Sequence, residues 1–258
     1  EEIGSAQDRK PVMRKICGYV YQRADKVLCV SPDILNDMRE LQGLKRADVA
    51  LTYNPVNLSH LKYSDSGKLE IRNTCGIPED TFVFGIVSRF ELFKGHTYLF
   101  EAYESFIQDN ENTRLLVVGD GPLKENFKRE VSERGLKDHV IFTGMVDNVG
   151  DYLSLMDGFV HPSTKEPFGI SIIEAMYMEK AVISTNVGGP KNYIQNGING
   201  ILVEPQNSDE IVTAMEDLYK DKKKRESLGA QARQTVIERF MPAAYARKIY
   251  DIYQSVLK

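Results

Sequence analysis

The stretch Glu166-Pro-Phe-Gly-Ile-Ser-Ile-Ile-Glu174 holds two carboxylates eight positions apart, separated by a Phe-Gly pair and an apolar run. The preceding residues, Gly158 to Ser163, are typical of a buried strand that ends in a turn. The following residues predict a helix whose apolar face carries Ile170, Ile173 and Met176. We therefore expect Glu166 in the loop at the carboxyl end of a strand, and Glu174 about two turns further along the helix.

A loop of this kind suits a ligand that carries both phosphate and hydroxyl groups. In open α/β sheets, ligands bind in the crevice outside the carboxyl ends of the strands. The free N–H groups and the positive dipole end of a helix attract phosphate there. Carboxylates accept hydrogen bonds from sugar hydroxyls. The stretch thus predicts an anion site beside two hydroxyl acceptors, as a nucleotide-sugar requires.

The rest of the chain alternates short apolar runs with helical patterns, which predicts a parallel sheet flanked by helices. The predicted strands are Lys26–Val30, Val49–Tyr53, Val83–Ser88, Arg114–Gly119, Val140–Thr143, Gly158–His161, Ala181–Ser184 and Gly200–Val203. The predicted helices are Gly95–Gln108, Leu123–Glu133, Val149–Met156, Gly169–Met178, Ser208–Lys220, Lys223–Arg239 and Ala243–Leu257. The fold class predicted from this alternation is α/β with a Rossmann-like parallel sheet.

Composition narrows the classes of function. The 258 residues are 42% hydrophobic with a net charge of -4, enough for one large or two modest domains and too acidic for a broad nucleic-acid surface. Three widely spaced cysteines, at positions 17, 29 and 75, fit a reducing cytoplasm. We find neither a signal peptide nor an apolar run of the roughly 18 residues that a membrane span needs. The chain begins Glu1-Glu2-Ile3 without an initiator methionine, which we interpret as the start of a fragment or of a processed chain.

Metal chemistry is not expected from the pattern of polar residues. The four histidines, at positions 60, 96, 139 and 161, lack the spacing of metal ligands, and the chain has no Asp-x-Asp motif. The basic run Lys220-Asp-Lys-Lys-Lys-Arg225 can be interpreted as a membrane-surface patch, although a solvated turn between helices is the commoner meaning.

An ordered set of motifs resembles the retaining GT-B glycosyltransferases that carry an E-x7-E signature (group 1, family 4 type). The motifs are Gly85-Ile-Val-Ser-Arg89 with Lys94-Gly95, Val117-Val-Gly-Asp-Gly-Pro122, Phe142-Thr-Gly-Met-Val146, His161-Pro-Ser163, the Glu166 to Glu174 element, Asn186-Val-Gly-Gly189, and Asn196-Gly-Ile-Asn-Gly-Ile-Leu-Val203. Each is weak alone, and their common order makes the resemblance specific.

The resemblance implies a division into domains. Residues 1–56 correspond to a remnant of the N-terminal, acceptor-side domain. Residues 57–240 correspond to the C-terminal, Rossmann-like half of a GT-B fold, which binds the nucleotide-sugar donor. Residues 241–258 correspond to a helix that crosses back toward the N-terminal domain. Most of that domain, with its donor loop and catalytic histidine, is not expected in this chain.

The same resemblance assigns roles to individual residues. Arg89 and Lys94 would hold the donor diphosphate. Glu166 would bind a sugar hydroxyl on the side of the anomeric carbon, and we do not assign it the role of nucleophile. Glu174 would bind the ribose hydroxyls. The remaining donor-binding residues implied are Ser88, Gly121, Pro122, Met145, Val146, Phe168, Gly169 and Ile170. The residues themselves leave simpler meanings open, such as solvated loop charges, a helix-capping carboxylate, a core aromatic or an ordinary turn.

The implied activity is transfer of a sugar from a nucleotide donor to an acceptor hydroxyl on a polysaccharide or lipid-linked glycan precursor. UDP-sugar is the default donor, and no cofactor or metal is implied. The complete enzyme would lie in the cytoplasm, with possible peripheral association at the inner face of the membrane. Two alternatives stay open: a nucleotide-binding fragment that is inactive without its N-terminal domain or a separate partner, and a related epimerase or phosphorylase.

Overall fold

The structure is a computed structural model that describes residues 19–21, 23–42 and 49–257. It divides into two compact units, one formed by residues 1–57 with 238–258 and the other by residues 58–237. Cys17 lies outside the described residues. The two further cysteines, Cys29 and Cys75, are free thiols.

The first unit contains a small parallel sheet. Strand β1 (Val27–Cys29) pairs with β2 (Val49–Leu51), and helix α1 (Pro32–Gln42) joins them. The side chain of Ser31 accepts a hydrogen bond from the Ile34 N–H, as expected of a residue that caps a helix with proline at its first position. A small apolar core holds the sheet to the helix and consists of Cys29, Leu35, Met38 and Val49.

The second unit alternates strands and helices in the order that the sequence predicts. Its elements are α2 (Asp65–Thr74), β3 (Phe82–Val87), α3 (His96–Ile107), β4 (Thr113–Val118), α4 (Lys124–Glu133), β5 (Val140–Gly144), α5 (Val149–Leu155), β6 (Gly158–His161), α6 (Ile170–Tyr177), β7 (Ala181–Thr185), α7 (Pro190–Tyr193), β8 (Ile201–Val203), α8 (Ser208–Lys220) and α9 (Lys222–Arg239). Helix α10 (Pro242–Val256) belongs to the first unit.

The six strands of the second unit form one parallel sheet in the order β5-β4-β3-β6-β7-β8. Parallel strands need crossover connections, and the helices between them provide these. The chain builds outward from β3 to β5 and then returns to place β6 on the other side of β3. This is the doubly wound order of a Rossmann fold, and it creates a topological switch point between β3 and β6. The predicted fold class is confirmed.

An aromatic cluster fills the core on the face of the sheet that α3 and α8 cover. Phe84, Phe100 and Phe106 are fully or almost fully buried, and Phe84 and Phe106 meet edge to face at 5.4 Å. Such pairs add to the stabilisation that comes from burying apolar area. The core therefore holds β3 firmly, and the loop that follows β3 begins from a rigid base.

All eight predicted strands are present, with ends that differ by at most two residues. The sequence analysis missed α2 and α7. Helix α2 buries no residue and contains Gly67, so it lacks the apolar stripe that predicts a helix. Helix α7 has only four residues, too few to show a period. Within the described residues, no helix is long and apolar enough to cross a membrane.

Two details of the sequence analysis were wrong. Ile170 does not join the apolar face of α6, because it is the first helical residue and is 55% exposed. Glu174 is the fifth residue of α6, so it lies in the second turn rather than two turns along.

Candidate active site

The loops that carry the predicted site leave the carboxyl ends of β3 and β6, on the two sides of the switch point. Ser88 and Arg89 follow β3, and Pro162 and Ser163 follow β6. At a switch point, the connection after one strand leads to one side of the sheet and the connection after its neighbour leads to the other side, which opens a crevice between the two loops. The fold itself thus brings together two motifs that are far apart in the sequence.

Lys94, His161 and Glu166 form a buried polar cluster in this crevice. The Nζ atom of Lys94 lies 2.6 Å from Oε2 of Glu166, and the Nε2 atom of His161 lies 2.7 Å from the same oxygen. Burial opposes ionisation of Glu166, but the hydrogen bonds from His161 and Lys94, together with the Lys94 charge, outweigh it and lower the Glu166 pKa to about 2. Glu166 is therefore a carboxylate throughout the physiological pH range.

His161 donates to Glu166 as a neutral ring. Burial lowers the pKa of His161, and the favourable contact with Glu166 only partly offsets this. Since an ionised carboxylate accepts hydrogen bonds only, the proton of the neutral ring must lie on Nε2. The same Nε2 lies 2.9 Å from Ser163 Oγ, while Nδ1 has no partner among the described residues. His161 therefore orients Glu166 without carrying charge.

Two glycines allow the loops to approach the Glu166 backbone this closely. A Cβ atom on Gly95 would lie 2.0 Å from the carbonyl oxygen of Pro162, and one on Gly188 would lie 2.0 Å from the carbonyl oxygen of Glu166. Both residues have a positive φ, which glycine adopts without strain. The neighbouring N–H of Gly189 donates to the Glu166 carbonyl at 2.9 Å. The Lys-Gly and Gly-Gly motifs thus fix the position of the carboxylate.

A second buried histidine supports the loop after β3. His96 Nε2 lies 3.1 Å from Ser88 Oγ, and its ring stacks on Phe127 with centroids 4.6 Å apart. Burial, and to a smaller extent the charge of Lys94, lowers the pKa of His96 to about 3. His96 therefore holds Ser88 as a neutral ring, and Ser88 itself is tied to the scaffold.

A cleft of about 580 Å³ lies beside the cluster at the carboxyl ends of β3 and β4. Its lining consists of Val87, Arg89, Val118, Gly119, Asp120, Gly121, Met145, Val146, Val149 and Glu174. The side chain of Arg89 is 77% exposed and pairs with Glu91 at 3.0 Å. The Asp120 carboxylate also contacts the cleft, and the Lys124 ammonium and the Gly121 N–H hold its pKa below the usual range.

Glu174 forms one wall of this cleft and contacts a histidine from a distant segment. Its Oε1 lies 2.8 Å from Nε2 of His60. Burial raises the pKa of Glu174, and the contact with His60 partly offsets the rise. The cleft therefore joins an exposed guanidinium to a largely buried carboxyl whose ionisation depends on its neighbour.

The structure places the predicted site residues in two groups and leaves some at the edge. Arg89, Gly121, Met145, Val146 and Glu174 line the cleft, and Lys94 and Glu166 form the buried cluster. The predicted residues outside the cleft lining are Ser88, Pro122, Phe168, Gly169 and Ile170. The first two flank the cleft in sequence, and the last three surround the beginning of α6, where Tyr193 donates to the Phe168 carbonyl at 2.9 Å.

The sequence analysis assigned no site role to the histidines, although His161 belongs to the quoted motif His161-Pro-Ser163. His60, His96 and His161 contact Glu174, Ser88 and Glu166, respectively. Only His161 had a signal that could have been noticed, because it ends a buried strand at the edge of the sheet where ligands bind. Across the described ranges, no group of three or more His, Cys, Asp or Glu side chains could hold a metal ion.

A family model described as glycosyl transferases group 1 matches residues 67–235, which span the whole crevice and the cleft. The chain belongs to this family. Among curated relatives, it is 27% identical over 248 residues to N-acetyl-alpha-D-glucosaminyl L-malate synthase of Bacillus anthracis, covering 96% of this chain and 64% of that protein. It is 30% identical over 236 residues to the lipopolysaccharide core biosynthesis glycosyltransferase LpsD of Rhizobium meliloti, covering 92% and 65%.

Solved structures share the fold. A glycosyltransferase from Rickettsia africae superposes with a TM-score of 0.84 at 22% identity, covering 97% of this chain and 68% of that one. Anabaena Alr3699/HepE, solved in complex with UDP, superposes with a TM-score of 0.82 at 24% identity, covering 98% and 70%. The chain spans 64% and 65% of the length of the two curated relatives named above.

Proposed function

We propose that this chain carries the donor site of a retaining glycosyltransferase that transfers a sugar from a nucleotide-sugar to an acceptor hydroxyl. The observation that carries the proposal is the juxtaposition of a hydroxyl-accepting buried cluster, Lys94–Glu166–His161, with a cleft that contains both Arg89 and Glu174. The first element suits a sugar, and the second suits a nucleoside diphosphate.

The diphosphate would bind between the loop after β3 and the beginning of α6. Arg89 is exposed to the cleft and can present a bidentate fork to phosphate oxygens. The first N–H groups of α6 have no partner within the helix and lie at its positive dipole end. Lys94 uses one of its three donors on Glu166, so the others can reach a phosphate oxygen. These groups would stabilise the charge that develops on the leaving phosphate.

Glu166 would bind a hydroxyl of the transferred sugar rather than exchange protons. With a pKa of about 2 it is too weak a base to accept a proton near neutral pH. Lys94 and His161 both donate to Oε2 of Glu166. Oε1 would then accept a hydrogen bond from a sugar hydroxyl. In a front-side displacement, the bond between the anomeric carbon and the phosphate oxygen would break as the acceptor oxygen forms a bond to the same carbon on the same face. The acceptor proton passes to the departing phosphate oxygen.

The nucleoside would occupy the far part of the cleft. Glu174, Met145 and Val146 line this part of the cleft. Glu174 would accept hydrogen bonds from the ribose hydroxyls, and the backbone at Met145 and Val146 would contact the edge of the base. Backbone contacts reveal little about which base is preferred. The Anabaena neighbour was also solved with UDP-glucose, which makes UDP the first nucleotide to test.

The proposal can be tested by calorimetric titration of the chain with UDP, GDP and ADP. We expect one nucleotide to bind preferentially, and we expect Arg89→Ala and Glu174→Ala to weaken that binding. Arg129→Ala is a matched control, because this exposed arginine lies on helix α4 and its guanidinium donates to Asn126. If no nucleotide binds, or if the control weakens binding as strongly as the site variants, the proposed donor site is wrong.

A binding-only fragment is the second candidate, because the chain spans about two thirds of the length of its relatives. Such a fragment would bind nucleotide without transferring sugar. The transferase and the binding-only fragment can be distinguished by an activity assay. The chain is incubated with UDP-glucose and simple sugar acceptors, and the released UDP is detected. Release that depends on the acceptor supports the transferase, and binding without release supports the fragment.

A further inference from the structure

His60 lies on a segment that is firmly anchored in the second unit. The neighbouring side chains of Leu58 and Leu61 are both buried, and the Leu61 N–H donates to the Leu58 carbonyl at 3.0 Å. Helix α5 packs closely on the same segment, since a Cβ atom on Gly150 would lie 2.3 Å from the carbonyl oxygen of Lys62. The backbone therefore presents the His60 ring in a defined place.

The ring of His60 contacts the one carboxylate that lines the cleft from helix α6. Its Nε2 lies 2.8 Å from Glu174 Oε1, and the His60 side chain is 51% exposed while that of Glu174 is 11% exposed. An ionised carboxylate can only accept, so the histidine donates this hydrogen bond. The contact joins a residue in contact with solvent to a residue that is largely withdrawn from it.

This hydrogen bond controls two properties that ribose recognition needs. Burial alone would favour the protonated form of Glu174, and the contact with His60 shifts its pKa back toward ionisation. A protonated carboxyl would offer one donor in place of acceptor positions. By engaging Oε1, His60 also fixes the rotation of the carboxylate and directs Oε2 elsewhere.

We propose that His60 is a positioning residue for Glu174, and that the pair selects nucleotides with ribose hydroxyls over those without them. This inference rests on the proposed donor site and adds a residue to it. His60 does not contact the nucleotide in this scheme. It holds Glu174 so that the carboxylate can accept hydrogen bonds from the vicinal 2′ and 3′ hydroxyls of the ribose.

A purely structural role for His60 would have different consequences. Loss of packing would weaken the binding of every nucleotide by a similar factor and would lower the thermal unfolding midpoint. A positioning role affects only the hydrogen bonds made by ribose hydroxyls. A nucleotide that lacks those hydroxyls but keeps the base and the diphosphate therefore separates the two roles.

The test is calorimetric titration with UDP and with 2′,3′-dideoxy-UDP, using GDP or ADP and their dideoxy forms if that base binds better. We expect His60→Ala to weaken UDP binding about tenfold, as expected for loss of a hydrogen bond to a charged group, and to leave the dideoxynucleotide almost unaffected. His60→Gln keeps an N–H donor near the same position, so it should recover most of the lost affinity. Glu174→Gln should show the same selective loss as His60→Ala.

The matched control is His139→Ala, which removes a partly buried histidine that contacts Arg114. His139 lies at the amino end of β5, whereas the cleft lies at the carboxyl ends of the strands. The control variant should leave both affinities unchanged. If the unaltered chain binds no nucleotide, the proposed function fails and this inference fails with it. If the chain binds UDP and Glu174→Gln weakens that binding while His60→Ala does not, or weakens both nucleotides equally, the proposed function stands and the role of His60 is wrong.

Discussion

Lys94 and Glu166 are 72 positions apart in the sequence, yet Nζ of one lies 2.6 Å from Oε2 of the other. The lysine side chain is 17% exposed and the glutamate side chain 7%, so the pair is largely removed from water. The contact joins the loop after β3 to the loop after β6 across the switch point of the sheet. It also changes the expected role of Lys94, which faces a carboxylate before any phosphate binds.

Removal of the Lys94 charge should destabilise the fold. Breaking a buried ion pair costs roughly 3–5 kcal/mol when one charge is left without a partner. His161 still donates to Glu166, so we expect Lys94→Met to cost about 2 kcal/mol by urea unfolding. Lys128→Met removes an exposed pair with Glu125 and should cost less than about 1 kcal/mol. The double variant Lys94→Met, Glu166→Gln should cost less than the sum of the two single changes, and additive losses would contradict the coupling.

The close approach at Gly188 should make it far less replaceable than another glycine with the same backbone. Gly188 and Gly197 both have a positive φ, but only Gly188 has a backbone atom, the carbonyl oxygen of Glu166, in the path of a Cβ. Gly197→Ala should cost about 1–2 kcal/mol, from the left-handed conformation alone. Gly188→Ala should cost about 1–3 kcal/mol more, from the clash, and should also weaken UDP-glucose binding. Equal losses in denaturant unfolding would show that the clash is relieved without cost.

The buried histidines should make the fold sensitive to mild acid. The pKa of His96 falls from about 6.5 to about 3 on folding, so the folded chain binds fewer protons. The contribution of His96 to stability is complete above pH 6.5 and is lost as the pH falls below that value. Between pH 7 and pH 5 the loss is about 2 kcal/mol. The pKa of His161 is also lowered, so its contribution has the same sign.

The measurement is urea unfolding of the chain and of His96→Gln at pH 7 and pH 5. The variant should be less stable at pH 7 and should lose about 2 kcal/mol less between the two pH values. Because its pKa is raised, Glu174 makes the folded chain more stable, not less, as the pH falls. This effect is the same in the unaltered chain and in His96→Gln, so it cancels when their pH dependences are subtracted. The low pKa of Glu166 acts only below about pH 4.5, outside this range. A variant with an unchanged pH slope would contradict the neutral, buried state of His96.

Selectivity for the ribose should depend on pH through Glu174. Because burial raises its pKa, the carboxylate gains a proton at a higher pH than an ordinary glutamate as the solution is acidified. The affinity ratio of UDP to 2′,3′-dideoxy-UDP should therefore fall as the pH is lowered from 7 to 5. Phosphate groups also titrate near pH 6, but both nucleotides carry the same phosphates, so the ratio is independent of them. In Glu174→Gln the ratio should stay constant, and a ratio that still falls would assign the titration to another group.

The fold followed from the sequence to a large extent, because buried parallel strands are continuous apolar runs. Phe82–Val87, Thr113–Val118 and Ala181–Thr185 are short and rich in β-branched or apolar residues, and each was predicted within two residues. Helix α2 could not be predicted in this way, since only Leu69 and Ile71 are large apolar residues and no residue of the helix is buried. Periodicity reveals an element only when one side of it is covered.

The candidate site was predicted in part. The motifs gave the identity of Arg89, Lys94, Glu166 and Glu174, since each has a characteristic neighbour such as Gly95 or Phe168. They gave no pairings, and the partner of Lys94 was expected to be phosphate. The assignment of residues 1–56 to an acceptor-side domain, of residues 57–240 to donor binding and of residues 241–258 to a helix that crosses back stays a prediction.

The sequence by itself determined the order of strands and helices and the loops in which the carboxylates lie, because both are properties of local composition. The tertiary structure alone decided which side chains meet. His60 contacts Glu174, which is 114 positions away in the sequence. His161 and Lys94 both contact the same oxygen, Oε2 of Glu166. Those contacts arise from the switch point of the sheet and from the space left by glycine, and neither can be read from spacing along the chain. They also set the pKa values, which depend on burial and on neighbours in space.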